Sequence, residues 1–181
     1  CKIKDIPEKQ AKLFLDENHL AGNASGSFLR LGLFHEDELV FVMTFSKPRF
    51  TRIKKHDTVE LLRMCSKRFT TIIGGPTKVL NFFRSQHYSG ELISFCDEMV
   101  FSGDVYRQLG FGKIDSGKPA AWYFGNDGLL KHRMTYQKKR LLQMLDISES
   151  NQTEWQLAQQ LGLNRVWDCG SSKWKLDAVS L

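Results

Sequence analysis

The sequence predicts a mixed α/β fold, with a central sheet that is antiparallel at its start and parallel in its second half, flanked by helices. Three observations carry this. Two apolar runs, residues 28–34 (FLRLGLF) and 39–45 (LVFVMTF), flank the polar stretch HEDE, the pattern of a β-hairpin. Strand-like and helical stretches then alternate, which calls for crossover connections and parallel pairing. The chain has 181 residues, 41% of them hydrophobic, enough for one domain with a sizeable core, or one domain and a small appendage.

The elements follow in order. Residues 5–20 read as a first helix, with Asp5 as its cap, Pro7 in its first turn, and Ala11, Phe14, Leu15 and Asn18 on one face. A loop (AGNASGS) leads into the hairpin. KPRFTRIKKHDT is a long basic loop, and residues 59–67 (VELLRMCSK) return as a strand. Residues 74–86 open with glycines and turn helical, offering Val79, Leu80, Phe82 and Phe83 for burial. Residues 91–97 (ELISFCD) form another strand, a short helix carries Tyr106, and residues 120–124 (AAWYF) form the next strand. In the tail, residues 135–146 read as a basic amphipathic helix, TEWQLAQQLG as a second helix, and NRVWDCGSSKWKLD as strand, turn and strand. This divides the chain into a core over 1–134 and an extension over 135–181 that packs on it, through Trp167 and Trp174, or stands as a subdomain.

Composition narrows the function. No apolar run reaches membrane-span length. Cys1, Cys65, Cys96 and Cys169 are scattered, without C-x-x-C pairs or histidines at ligand spacing, so no metal site is expected. They read as reduced thiols of an intracellular, cytoplasmic protein, with Cys65 and Cys96 as small core hydrophobes. The chain opens on Cys1, either because the initiator Met is removed or because it is a piece of a longer polypeptide.

The net charge is +6, and it is unevenly spread. Residues 47–56 hold five Lys/Arg and no acid, and residues 129–140 hold five more and no acid. The rest of the chain has 16 basic against 20 acidic residues. Two basic windows with Phe50 and Tyr136 interleaved point to a polyanion, with nucleic acid as the expected partner. Arg49, Arg52, Lys54, Lys55, Lys131, Arg133, Lys138 and Lys139 are the candidate contacts. Ordinary solvated faces would have the same composition.

Two stretches can carry chemistry. IIGGPTKVL (72–80) is a glycine-rich turn that opens a helix, where backbone N–H groups and the helix dipole suit an anion, a phosphate of a cofactor or of nucleic acid; for a cofactor, Thr71, Gly74, Gly75 and Thr77, with Ser102, are the candidate contacts. SFCDEMVFSGDVY (94–106) places Ser94 and Asp97 at the carboxyl end of a strand, with Ser102 and Tyr106 at the following helix. Asp97 can serve as a base or orient an amine; Asp97 or Ser102 can equally cap the helix. Arg63, a strand arginine among apolar residues, needs Glu60, Asp97 or a phosphate as partner.

The element order, the glycine-rich turn before a helix, and VYRQLGF together resemble the GNAT acyltransferase fold. The resemblance implies a splayed pair of parallel central strands. It also implies coenzyme A pyrophosphate binding at a turn of the type Arg/Gln-x-x-Gly-x-Gly/Ala. Here that turn is Thr71-x-x-Gly74-x-Pro76, so the first glycine matches and the other two positions do not. A Tyr three residues before Leu-Gly-Phe serves in that family as the general acid to the leaving thiolate, and Tyr106 holds this place. CKIKDIPEKQAKLFLDENHLAG, LGLFHEDELVFVMTFSKPRF, VELLRMCSK, IIGGPTKVL, LISFCDEMVFSGDVYRQLGF, YQKKRL and RVWDCGSSKW are together similar to the domain that follows the nuclease module in phage Hef-like homing endonucleases. More distantly they resemble the GNAT-like fold of the phage DNA-modification protein Mom. These resemblances imply a domain acting on DNA in the host cytoplasm. It would be either a transferase of an acyl-type group to a base, with acetyl-CoA or another acyl donor, or the DNA-engaging domain of a homing endonuclease, with a nuclease domain before Cys1. A coenzyme A-dependent N-acyltransferase of a small amine and a non-catalytic interaction module are the alternatives. Tyr106, Asp97 and Ser94 are the candidate catalytic residues; the chain has no nuclease motif of its own.

Overall fold

A computed structural model describes residues 1–49 and 58–178. The chain divides into two compact units. One comprises Cys1–Cys96, Ser102–Asp115 and the chain from Lys173 onward, the other Asp97–Phe101 and Ser116–Ser172.

The first unit is a seven-stranded sheet with helices. Strand β1 (Lys2–Asp5) precedes helix α1 (Glu8–Asn18). Asp5 lies in β1 rather than capping the helix, and Pro7 takes the N-cap position, with its fixed φ leading into the first turn. Ala11, Phe14 and Leu15 are buried as their spacing requires, while Asn18 spends its amide on Phe14 O (2.7 Å) and accepts Arg68 N–H (2.8 Å). Strands β2 (Ser27–His35) and β3 (Glu38–Ser46) form the hairpin, turning on Glu36 and Asp37, both at positive φ as a tight two-residue hairpin turn demands.

Strand β4 (Thr58–Ser66) lies antiparallel to β3. Helix α2 (Gly75–Gln86) then crosses to β5 (Glu91–Asp97), which runs parallel to β4. Phe83 of α2 stacks on Phe45 of β3 with centroids 3.6 Å apart, and both are fully buried. Helix α3 (Asp104–Gln108) and strand β6 (Gly112–Ser116) follow, and the last strand, numbered β10 (Ser171–Leu176), inserts between β5 and β6. The sheet order is β1-β2-β3-β4-β5-β10-β6.

The second unit has its own sheet and core. Strands β7 (Ala121–Phe124), β8 (Lys131–His132) and β9 (Asn164–Trp167) form a three-stranded sheet with β7 central. A 3-10 turn (Arg133–Tyr136) precedes helix α4 (Lys138–Met144), and α5 is Glu154–Gln160. Alternate β7 residues, Ala121 and Tyr123, pack with Tyr136, Leu141, Leu157 and Ala158. The basic helix expected over 135–146 is therefore shorter, and its first turn is 3-10. Thr153 starts α5 through a capping box with Gln156, whose side chain accepts from the Thr153 N–H (2.9 Å).

Among the described residues no helix is long and apolar enough to cross a membrane, and no group of three or more His, Cys, Asp or Glu gathers as a metal site. Cys96 is buried and burial pushes the Cys65 thiol up to about 12.

Candidate functional site

The site begins where β4 and β5 part. Their pairing runs Thr58↔Glu91, Val59↔Leu92 and Glu60↔Ile93 and then stops, although both strands continue for several residues. On its other edge β4 pairs Arg63 with Thr44 and Leu61 with Phe45, so Leu62 is an extra residue, a bulge that bends the strand at the point of separation. A strand that leaves its partner strands its carbonyls, and buried carbonyls need donors. Ser94, fully buried on β5, supplies one: its hydroxyl lies 2.8 Å from Leu61 O.

The Tyr106 hydroxyl joins this pair, 2.9 Å from Ser94 Oγ and 3.3 Å from Phe95 O. Ser94 has one proton. With that proton on Leu61 O, the phenol is the donor to Ser94 Oγ or Phe95 O. Burial raises the Tyr106 pKa, with Cys96 adding to it, against the lowering effects of the Ser94 hydrogen bond and Arg63. The phenol is thus held protonated.

The sequence around Tyr106 explains its position. Gly110 sits at φ +85°, Phe111 N–H bonds Tyr106 O (2.9 Å) and Gly110 N–H bonds Arg107 O (3.0 Å), which together form a Schellman end to α3. The apolar contact that accompanies such an end is Tyr106 against Phe111, edge to face at 5.7 Å. Leu109 and Phe111 are both buried. Trp174 of β10 stacks on the other side of Tyr106 at 5.6 Å. A Cβ on Gly103 would lie 2.3 Å from Trp174 Cζ2, so only glycine lets α3 approach the indole.

Charged groups lie on the same strand. Glu60 is almost completely buried and accepts from the Arg49 backbone N–H (3.0 Å), Nη2 (3.1 Å) and Nε (3.3 Å). Arg63 donates to Gly22 O (3.1 Å) and Leu62 O (3.0 Å), so two carbonyls, not a carboxylate, receive its side chain. Burial and then the Arg63 charge lower the His19 pKa; its Nδ1 accepts Ala21 N–H (3.0 Å), which leaves the ring neutral with its proton on Nε2.

The other predicted residues are placed as follows. Gly74 caps α2 at φ +69°, with open space where a Cβ would stand. Gly75 is buried, and a Cβ there would meet Ile72 Cγ2 at 2.6 Å. Gly75 N–H bonds Ile72 O (3.1 Å) and Pro76 has no N–H, so two of the first donors of the helix are not offered to an anion. A pyrophosphate cradle of the expected kind therefore does not fit this turn. Thr71 and Thr77 are exposed beside it. Ser102 hydrogen-bonds the Asp104 carboxylate at the start of α3, and Asp97 Oδ1 accepts Met99 N–H (3.0 Å) in the turn after β5.

Of the basic candidates, Arg52, Lys54 and Lys55, with Phe50, lie outside the described residues. Arg49 is engaged by Glu60. Lys131 pairs with Asp127 (3.2 Å) and Arg133 with Glu154 (2.9 Å). Lys139 lines a groove of about 340 Å³ with Arg140, Met134, Thr135, Gln137 and Gln143, and Lys138 precedes it on α4. Sequence reasoning missed that Glu60 holds Arg49 and that Trp174 stacks on Tyr106. Glu60 had a signal, an acid inside an apolar strand; Trp174 was expected to pack on the core, but nothing in the sequence pointed to Tyr106 as the ring it meets, some 70 residues away in the chain.

No protein-family model matches the chain, and no curated protein sequence matches it. Among solved structures it is similar to a Bacillus subtilis acetyltransferase in complex with coenzyme A, at TM-score 0.54 and 12% identity, over 98% of this chain and 99% of that one. It is similar to smu.2055 of Streptococcus mutans at TM-score 0.54 and 10% identity, with the same coverage. With its mixed sheet, its parallel β4–β5 pair and their separation, the chain has a GNAT-like fold.

Proposed function

We propose that this chain is an acyl-transfer domain acting on nucleic acid, with Tyr106 as the acid that protonates the leaving group. The observation that carries the reading is the Tyr106 phenol at the parting of β4 and β5, protonated and hydrogen-bonded to Ser94. An acyl donor entering between the strands would meet this proton. A base amine attacks the acyl carbon and a new C–N bond forms; the bond to the leaving group breaks, and that group takes the phenol proton while the amine gives its own to water. Ser94 holds the phenol in place. The acyl donor is acetyl-CoA or another acyl carrier; the altered glycine turn supports a donor that makes little use of a pyrophosphate cradle. The DNA target rests on the phage-type resemblance and on the basic windows.

A second reading is a coenzyme A-dependent N-acyltransferase of a small amine, favoured by the coenzyme A carried by the similar Bacillus subtilis acetyltransferase. Calorimetric titrations with acetyl-CoA and with duplex DNA separate the two. Under the first reading DNA binds, and Tyr106→Phe lowers acyl transfer to DNA about 10²-fold or more with DNA affinity nearly unchanged. Transfer to small amines with no DNA binding would select the second reading.

A further inference from the structure

The second unit carries an arrangement that acyl transfer does not use. Arg165 and Trp167 lie two residues apart on β9, so they share one face of the edge strand. The Arg165 guanidinium lies 4.5 Å from the Trp155 ring centroid and 5.1 Å from that of Trp167. It is held between two indoles, yet among the described residues it has no hydrogen-bond or ion-pair partner, so its N–H donors are unspent. Trp167 is 59% exposed. Trp167 thus offers an open aromatic face beside a cation, a surface on which a planar ring can stack.

The backbone holding Trp167 is fixed. Asp168, the next residue, accepts Ala120 N–H (2.7 Å), Gly170 N–H (2.8 Å) and Trp122 Nε1–H (2.8 Å), and its own N–H bonds Ala120 O (3.0 Å). Burial works to raise the Asp168 pKa, but these donors outweigh it and hold the carboxyl below its usual range. On the other side, Trp155 follows Glu154, which accepts both the Arg133 side chain and Lys138 N–H. The basic segment with Lys139 and Arg140 is thereby tied to the same helix start as the stack.

We propose that Trp167, Arg165 and Trp155, with the groove cations Lys139 and Arg140, form a binding site for single-stranded nucleic acid, which rests on and sharpens the nucleic-acid reading above. The chemistry is complementary on both counts. The open face of Trp167 takes the face of an unstacked base, the spare donors of Arg165 take a phosphate, and Lys139 and Arg140 take neighbouring phosphates. Such a site would hold a strand whose base has left the duplex, as chemistry on a base amine requires.

Fluorescence anisotropy with labelled (dT)12 and with a duplex of mixed sequence tests this. The chain should bind (dT)12. Trp167→Ala should weaken it about 10-fold or more, with Trp167→Phe within about 3-fold of the parent, because stacking needs an aromatic face. Lys139→Ala with Arg140→Ala should lower the log-affinity against log-salt slope by about 1.4, the loss of two single-strand phosphate contacts. Unaltered melting of Trp167→Ala would confirm that the change is local. (dT)12 binding that is indifferent to Trp167 and Arg165 would sink the site while leaving the DNA reading intact. Failure to bind either DNA would sink both. Displacement of (dT)12 by equimolar free coenzyme A would reassign the stack to an adenine nucleotide and overturn the proposal.

Discussion

Trp167 and Trp174 stand seven residues apart in one strand–turn–strand segment, and the fold treats them oppositely. Trp167 ends β9 in the three-stranded sheet with 59% of its surface exposed; Trp174 lies in β10 of the seven-stranded sheet with 2% exposed. Each has an arginine near its ring, Arg165 at 5.1 Å and Arg107 at 5.7 Å. The similar local chemistry serves different ends. Trp174 is filler that wedges Tyr106 against Phe111 and so sets the direction of a phenol, whereas Trp167 presents a free face. An aromatic residue's role follows from which of its faces the chain covers.

The largest effect that would test this contrast is on stability. Trp174→Ala should cost about 3–5 kcal/mol, as large-to-small changes in a packed core do, and Trp167→Ala should stay within about 0.5 kcal/mol. Urea unfolding of both variants checks it, and equal losses would end the distinction. Gly103→Ala comes next. The added methyl meets Trp174 Cζ2 at 2.3 Å at a residue with φ +79°, so about 2 kcal/mol of stability should be lost. That loss should shrink in a Trp174→Phe background, where the ring edge recedes; the double-mutant cycle reads the coupling directly.

The smallest effect concerns pH. Burial raises the Tyr106 pKa in the folded chain above its unfolded value of 10.0. The stabilising contribution is complete below about pH 10 and is lost as pH rises through the folded value, since the unfolded chain then ionises first. The difference in unfolding midpoint between the parent and Tyr106→Phe should therefore be constant below pH 9 and move in the variant's favour above pH 10. A pH-independent difference would mean that the phenol is solvated rather than held between Trp174 and Phe111.

The sequence by itself determined the elements whose physics is local. The HEDE turn, the α2 start at Gly74, the Leu109-Gly110-Phe111 end of α3 and the capping box of α5 each depend on residues within a few positions of one another. The parallel pairing of β4 and β5 was also legible, because a strand, a helix and a strand in succession leave little other choice. Tertiary structure alone decided where the tail goes. The pattern of NRVWDCGSSKWKLD specifies two strands, yet nothing within it says that they join different sheets. It also decided that Arg49 is spent on buried Glu60, that Arg63 serves two carbonyls, and that Ser94, rather than a backbone amide, meets Leu61 O. Apart from the neighbouring Leu62 O, the partners in these contacts are brought together from 11 to 41 positions apart in the chain. Amphipathic period and turn chemistry report which face of an element is buried, but the partner that buries it is chosen by packing and by the need to satisfy every enclosed polar group.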